Sequence, residues 1–126
     1  MAWKFTKDTP IYMQLLERIK VSIANGTYPP GTKLPAVRDL ALEAGVNPNT
    51  VQRTFAELER EGLALSDRTN GRYVLDDEDR IRELREELSG IYIEELFHSL
   101  KELGMDEEEI MNRISLRKEN HGNTGM

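Results

Sequence analysis

The chain has no cysteine, one tryptophan and two histidines among 126 residues. Without cysteine there is no disulfide framework, no thiolate zinc site and no cysteine nucleophile. The two histidines, His98 and His121, do not supply a metal cluster. Aromatic residues make up only 6% of the chain, and no apolar run approaches the roughly 18–20 residues of a membrane span. The opening residues, MAWKFTKD, carry charges where a secretory leader has its apolar stretch. A cytoplasmic protein with no membrane partner is therefore expected. No Ser-His-Asp grouping stands out, and no glycine-rich loop follows a strand to hold a nucleotide, so neither an enzyme nor a cofactor is expected. What remains, 38% hydrophobic and 32% charged, is an ordinary globular domain with a modest core and a small appendage.

The net charge of −6 argues against a nucleic-acid partner only until the chain is divided. Residues 1–75 hold ten basic and eight acidic side chains, whereas residues 76–126 hold seven and fifteen. A near-neutral working domain is followed by an acidic helical segment, and placement of the basic groups decides what the first part binds.

Trp3-Lys-Phe5 reads as a short strand or arm that tucks two aromatics. Ile11, Leu15, Ile19 and Ile23 fall on one helical stripe, with Thr9 as its N-cap, Pro10 as its first residue and Asn25-Gly26 as its exit. Two prolines in Tyr28–Thr32 exclude helix there. A short helix over 35–44 buries Val37, Leu40 and Ala41 and closes at Gly45. Asn47-Pro48, a cap followed by proline, starts a third helix that buries Val51, Phe55 and Leu58 and stops at Gly62. The period then changes. Residues 63–66 and 72–75 are strand-like runs around Asp67–Gly71, a hairpin in which Asn70-Gly71 supplies the positive φ angles. A long amphipathic helix follows Asp76–Asp79 and ends at Gly104. Asp106 and Glu109 form a capping box for a last helix, with Met105 and Ile110 as its hydrophobic staple. That helix frays near Lys118, leaving 119–126 as a disordered tail.

Three short helices and a hairpin, in this order, make a mainly α domain with a winged helix-turn-helix arrangement. The domains expected are the winged unit over 1–75, a two-helix segment over 76–118, and the tail. On the third helix, Asn49, Gln52 and Arg53 lie away from the buried stripe. Asparagine and glutamine pair with adenine, and arginine with guanine, in the major groove. Asn47 and Thr50 sit at the helix start, where free N–H groups bind phosphate. Lys33 joins the basic groups that would meet phosphate. Arg68, Thr69, Asn70, Gly71 and Arg72 form a polar, basic hairpin tip suited to phosphate or the minor groove. A solvated helix face and an ordinary surface turn would carry similar residues.

Three stretches then stand out together: P-I-Y-M-Q-L (10–15), G-T-Y-P-P-G-T-K-L-P-A-V-R-D-L-A (26–41) and G-V-N-P-N-T-V-Q-R-T-F-A-E-L-E-R-E-G-L (45–63). Over about residues 5–75 the sequence resembles the GntR family of bacterial transcription regulators, and its short C-terminal part is similar to the YtrA-type subfamily. The resemblance implies that Arg38 contacts DNA phosphate or a base, that Thr50 touches DNA, and that the loop around Gly71 is a wing. It also implies a repressor. The chain departs from the family pattern in three places. Asn47-Pro48 stands where many members have Ser-Arg, Ala36 replaces a common serine, and Thr-Asn-Gly-Arg-Tyr-Val (69–74) replaces Gly-x-Gly-x-Phe-Val.

The long helix and the last helix carry apolar residues that a 75-residue domain cannot cover: Ile81, Leu84, Leu88, Ile91, Leu96, Leu100, Leu103, Ile110 and Ile114. A homodimer through this surface is expected, since a winged helix reading a palindromic operator on double-stranded DNA needs two copies at fixed spacing. Intramolecular packing on the first helix is the simpler alternative. A winged-helix protein-interaction module without DNA binding is the alternative function. The C-terminal segment carries no signature of a small-molecule effector pocket.

Overall fold

A computed structural model describes residues 3–122. Pro10 is the N-cap of α1 (Ile11–Ala24), with extended backbone and no side-chain cap. The cap expected from Thr9 is absent. Its place is taken by Gln14, whose amide accepts from the Thr6 N–H at 2.8 Å and donates to the carbonyls of Thr6 and Thr9, both at 2.9 Å. One side chain thus folds the entry segment back onto the first turn. The Trp3–Phe5 stretch is an arm and not a strand. Its Trp3 N–H donates to the Ala44 carbonyl, and the ring lies under the Arg18 guanidinium at 4.2 Å.

The two helices that follow obey their sequence signals. α2 (Val37–Ala44) starts without a side-chain cap at Ala36, as a non-hydroxyl residue dictates, and ends at Gly45 with φ +73°. That left-handed turn is cheap only for glycine. Asn47 caps α3 (Pro48–Arg60) by accepting the Asn49 N–H at 2.8 Å, and Pro48 occupies the first turn, where its missing N–H costs nothing. Leu15, Ile19, Leu40, Val51, Phe55 and Leu58 meet in the core. Thr54 is a buried polar residue there, and its hydroxyl bonds to the carbonyl of Thr50 at 2.9 Å and of Tyr12 at 3.4 Å. A Lys20–Glu61 ion pair at 2.6 Å closes the far end of the α1–α3 contact.

The hairpin consists of β1 (Ala64–Asp67) and β2 (Gly71–Val74), with Ala64 opposite Val74 and Asp67 opposite Gly71. Its loop therefore has three residues, and positive φ falls on Gly71 at +96° and not on Asn70. The expected two-residue Asn-Gly turn is replaced by a loop built on Asp67, which accepts from the Thr69 N–H and hydroxyl and from the Asn70 amide. The other edge of β2 is also occupied. Leu34 N–H donates to the Arg72 carbonyl at 2.8 Å, Gly31 N–H to the Val74 carbonyl at 3.0 Å, and Val74 N–H to the Thr32 carbonyl at 2.9 Å. Residues 31–34 thus run along the wing, a pairing that the two prolines before them conceal.

Asp77 caps α4 (Glu78–Glu102), accepting the N–H groups of Asp79 and Arg80. The chain divides into two compact units at Glu86/Glu87, inside this helix and not after the hairpin. In the first unit, Arg80 donates to the Glu61 carbonyl and Arg85 to the Ala24 carbonyl, at 3.0 and 2.9 Å. Both carbonyls lie at helix C-termini, where a cation is favourable. Ile81 and Leu84 are buried, at 7% and 1% exposure, so these two do not belong to a surface that awaits a partner.

The second unit holds the rest of α4 and α5 (Glu107–Gly122), joined at Gly104. The capping box forms as the sequence predicts. Glu109 N–H donates to Asp106 Oδ1 at 2.9 Å, and Asp106 N–H to Glu109 Oε1 at 3.5 Å. Ile110 is fully buried and Leu88 nearly so, which removes both from the expected pairing face. Helix α5 continues past Lys118 to Gly122, so part of the expected tail is helical, and 123–126 lie outside the described residues. Ile91, Leu96, Leu103 and Ile114 remain exposed, Leu103 by 75%, and Ile93 joins them at 53%. Leu100 is half-buried.

Candidate nucleic-acid interface

The solvent face of α3 is defined by what its other face buries. Val51, Thr54, Phe55 and Leu58 are turned inward, which leaves Asn49, Gln52, Arg53 and Ala56 exposed and Thr50 half-exposed. All of these but Ala56 lie in the first half of the helix, whose first N–H groups are taken up by Asn47. The second half is acidic but internally compensated. Glu57 pairs with Arg60 at 2.7 Å, and this hydrogen bond holds the Glu57 carboxyl below the usual carboxylate range.

Each predicted contact residue has a definite place. Arg53 is exposed, with its guanidinium 3.7 Å from the centre of the Tyr12 ring on α1. Such stacking leaves the edges of the guanidinium fork free to bond outward. Arg38 is exposed in the first turn of α2 and forms no ion pair among the described residues. Lys33 is exposed beside the wing, bridged to Tyr73, with its Cε 3.2 Å from where a Cβ on Gly71 would stand. Gly71 therefore serves two needs, a positive φ and the close approach of Lys33.

Asn47 spends its side-chain oxygen on the helix cap. Thr69 and Asn70 are exposed at the hairpin tip, but Asp67 engages both side chains. These bonds hold the Asp67 carboxyl low, with the Thr69 N–H contributing most. Arg68 is exposed at the same tip. Arg72 is the one whose expected role the geometry contradicts. Its Nε donates to Glu59 Oε1 at 3.0 Å, its Nη2 donates to Gln52 Oε1 at 3.2 Å, and its guanidinium lies 5.1 Å from the Phe55 ring centre. A guanidinium already held by a carboxylate is not a free phosphate contact.

The structure thus joins the wing to α3 through Arg72, which reaches Gln52, Phe55 and Glu59, and sets Lys33 beside the wing at Gly71. It adds Tyr12 and Glu59, which sequence reasoning missed. Tyr12 lies within the P-I-Y-M-Q-L stretch, yet no spacing rule links it to Arg53. Glu59 lies in the acidic second half of α3, where no spacing rule links it to Arg72.

A helix-turn-helix whose second helix exposes amide and guanidinium groups, flanked by a two-stranded wing, defines a DNA-binding regulator of transcription. The family model "Bacterial regulatory proteins, gntR family" matches residues 11–74, and the chain belongs to the GntR family. Among curated relatives, the HTH-type transcriptional repressor YtrA of Bacillus subtilis (strain 168) is 34% identical over 114 residues, covering 79% of this chain and 88% of the relative. A GntR family transcriptional regulator from Listeria monocytogenes is similar in structure, with a TM-score of 0.79 at 35% identity, covering 88% of this chain and 97% of that one. The DNA-binding domain of AraR, solved in complex with operator ORX1, matches 59% of this chain and 90% of its own at a TM-score of 0.52 and 27% identity. Among the described residues, no helix is long and apolar enough to cross a membrane.

Proposed function

We propose that the protein is a cytoplasmic, homodimeric repressor that binds a palindromic operator with one α3 helix in each of two major grooves. The observation that carries this reading is the exposed face of α3. Arg53, poised on Tyr12, and Gln52 offer base-edge contacts beside the half-exposed Thr50, whose hydroxyl suits a phosphate. Arg38 and Lys33 are placed to hold the flanking backbone, and Arg68 at the wing tip reaches the neighbouring groove. Pairing runs through the second unit, where Ile91, Ile93, Leu96, Leu103 and Ile114 leave apolar side chains in water. A two-fold pair of recognition helices needs half-sites about 10 base pairs apart, or a multiple of that. Repression then follows from occupancy, since a dimer seated on a promoter blocks its use. The repressor role is supported by similarity to YtrA, and the operator by similarity to the AraR domain.

Selection of bound duplexes from a random pool tests the reading. An inverted repeat with a preferred guanine at the pair Arg53 meets in each half-site is the expected product. Absence of saturable binding to any duplex would exclude it.

A further inference from the structure

Arg72 occupies β2 between Gly71 and Tyr73, and its cross-strand partner is Ser66. The hydroxyl of Ser66 donates to the same Glu59 carboxylate that receives Arg72 Nε. The guanidinium is therefore held on two edges by Glu59 and Gln52, and on one face by Phe55. These three residues stand on one side of α3, three and four positions apart. Arg72, only 25% exposed, and Ser66 together clasp the wing to the recognition helix.

Two consequences follow. The charge of Arg72 is already balanced by Glu59, so a phosphate brought to it would also meet a carboxylate. Counterion release from this residue is then small. The second consequence concerns Gln52. Its amide carries an oxygen with two lone pairs and an NH2 with two donors. Arg72 takes one of those lone pairs, which biases the free part of the group towards donation. The donor end is left to project. Adenine in the major groove is read by a glutamine that accepts and donates together, whereas guanine presents two acceptors, N7 and O6.

We propose that Arg72 is a positioning residue for base reading: by holding the Gln52 oxygen it biases Gln52 towards donation and favours guanine over adenine at the pair Gln52 meets. This rests on the reading of α3 as the DNA-contacting helix. Arg72 itself touches no base and no phosphate.

The test uses the full chain, its selected operator and the single base-pair variants of that operator, with binding measured by fluorescence anisotropy over a range of salt. Arg72→Lys keeps the charge, but a single ammonium cannot grip Glu59 and Gln52 at once. The expected result is a loss of about tenfold in guanine-over-adenine preference at one pair per half-site, with the salt slope unchanged. Gln52→Ala should relax the same pair, and adding Arg72→Lys to Gln52→Ala should change nothing further. Arg72→Met should repeat the preference shift, and if that variant fails to fold, Arg72→Lys decides. An unaltered base preference in Arg72→Lys overturns the proposal. So does a uniform weakening in Arg72→Met with the salt slope reduced by about two per dimer, the mark of a lost phosphate contact. Failure of the wild-type chain to bind any duplex saturably would overturn the DNA reading first, and is recognised before any variant is made.

Discussion

The guanidinium of Arg53 lies 3.7 Å from the centre of the Tyr12 ring, so the arginine proposed to read a base is steadied by a different helix. Arg53→Ala should cost about 1–3 kcal/mol of specific binding and relax preference at one base pair per half-site. Tyr12→Leu keeps the arginine but removes its platform, and should lose about 0.5–1 kcal/mol with the same base preference. Tyr12→Phe retains the ring and should bind like the wild type. Anisotropy titrations on the selected operator check all three, and equal behaviour of Tyr12→Leu and wild type would show the stacking to be idle.

Salt dependence separates phosphate contacts from internal ion pairs. With Arg72 held by Glu59 and Arg53 assigned to a base, Lys33, Arg38 and Arg68 are the phosphate contacts expected in each protomer of the proposed dimer. The log–log slope of affinity against salt should then be about −5 for a dimer. A slope near zero would contradict groove binding by this face.

How far the fold was legible follows from the range of each interaction. The Asn47 cap, the left-handed Gly45 and the Asp106–Glu109 box are local, and a few neighbouring residues identify them. The burial of Ile81 and Leu84 was not legible, because Ile81, Leu84, Leu88 and Ile91 follow one another at steps of three or four along one helix face, whether buried or exposed. Periodicity shows that a helix face is apolar and does not say what covers it. The exposed residues of α3 were legible because the buried stripe defines its opposite face. The ion pair of Arg72 was not legible, because an arginine on a wing looks free until Glu59, thirteen residues earlier, is brought beside it. The Gly31–Leu34 edge and the Tyr12–Arg53 stack are likewise products of the tertiary fold.

The division at Glu86 predicts where the chain can be cut. A fragment ending at 86 keeps Ile81, Leu84, Arg80 and Arg85 in place, and should fold and sediment as a monomer. A fragment ending at 75 loses the burial of both aliphatic side chains, each worth about 1.5–3 kcal/mol, and should melt well below it. The longer fragment should bind a full palindrome about 10²–10⁴-fold more weakly than the whole chain, since tethering is lost. A dimeric 1–86 fragment would move the pairing surface into the winged unit.

Acid should loosen the wing before it unfolds the helices. The Asp67 carboxyl is held below the usual carboxylate range by the Thr69 N–H, then by the Thr69 hydroxyl and the Asn70 amide. A depressed folded value contributes stability above the ordinary carboxylate range and loses it as pH falls through the folded value. The amide signals of Thr69 and Asn70 should therefore shift together below that range while those of the buried α3 residues Val51 and Phe55 hold. Asp67→Ala should show the loosened loop at neutral pH. Equal acid sensitivity in the wild type and Asp67→Ala would assign the transition to another group.

The central claim is that two copies of α3 read successive major grooves. Methylation interference at guanine N7, with the full chain on its selected operator, tests it most directly, because N7 lies in the major groove. Two symmetric clusters of interfering guanines, about 10 base pairs or a multiple apart on one face of the duplex, are the predicted result. A single cluster, or none on a duplex that is nevertheless bound, would contradict it.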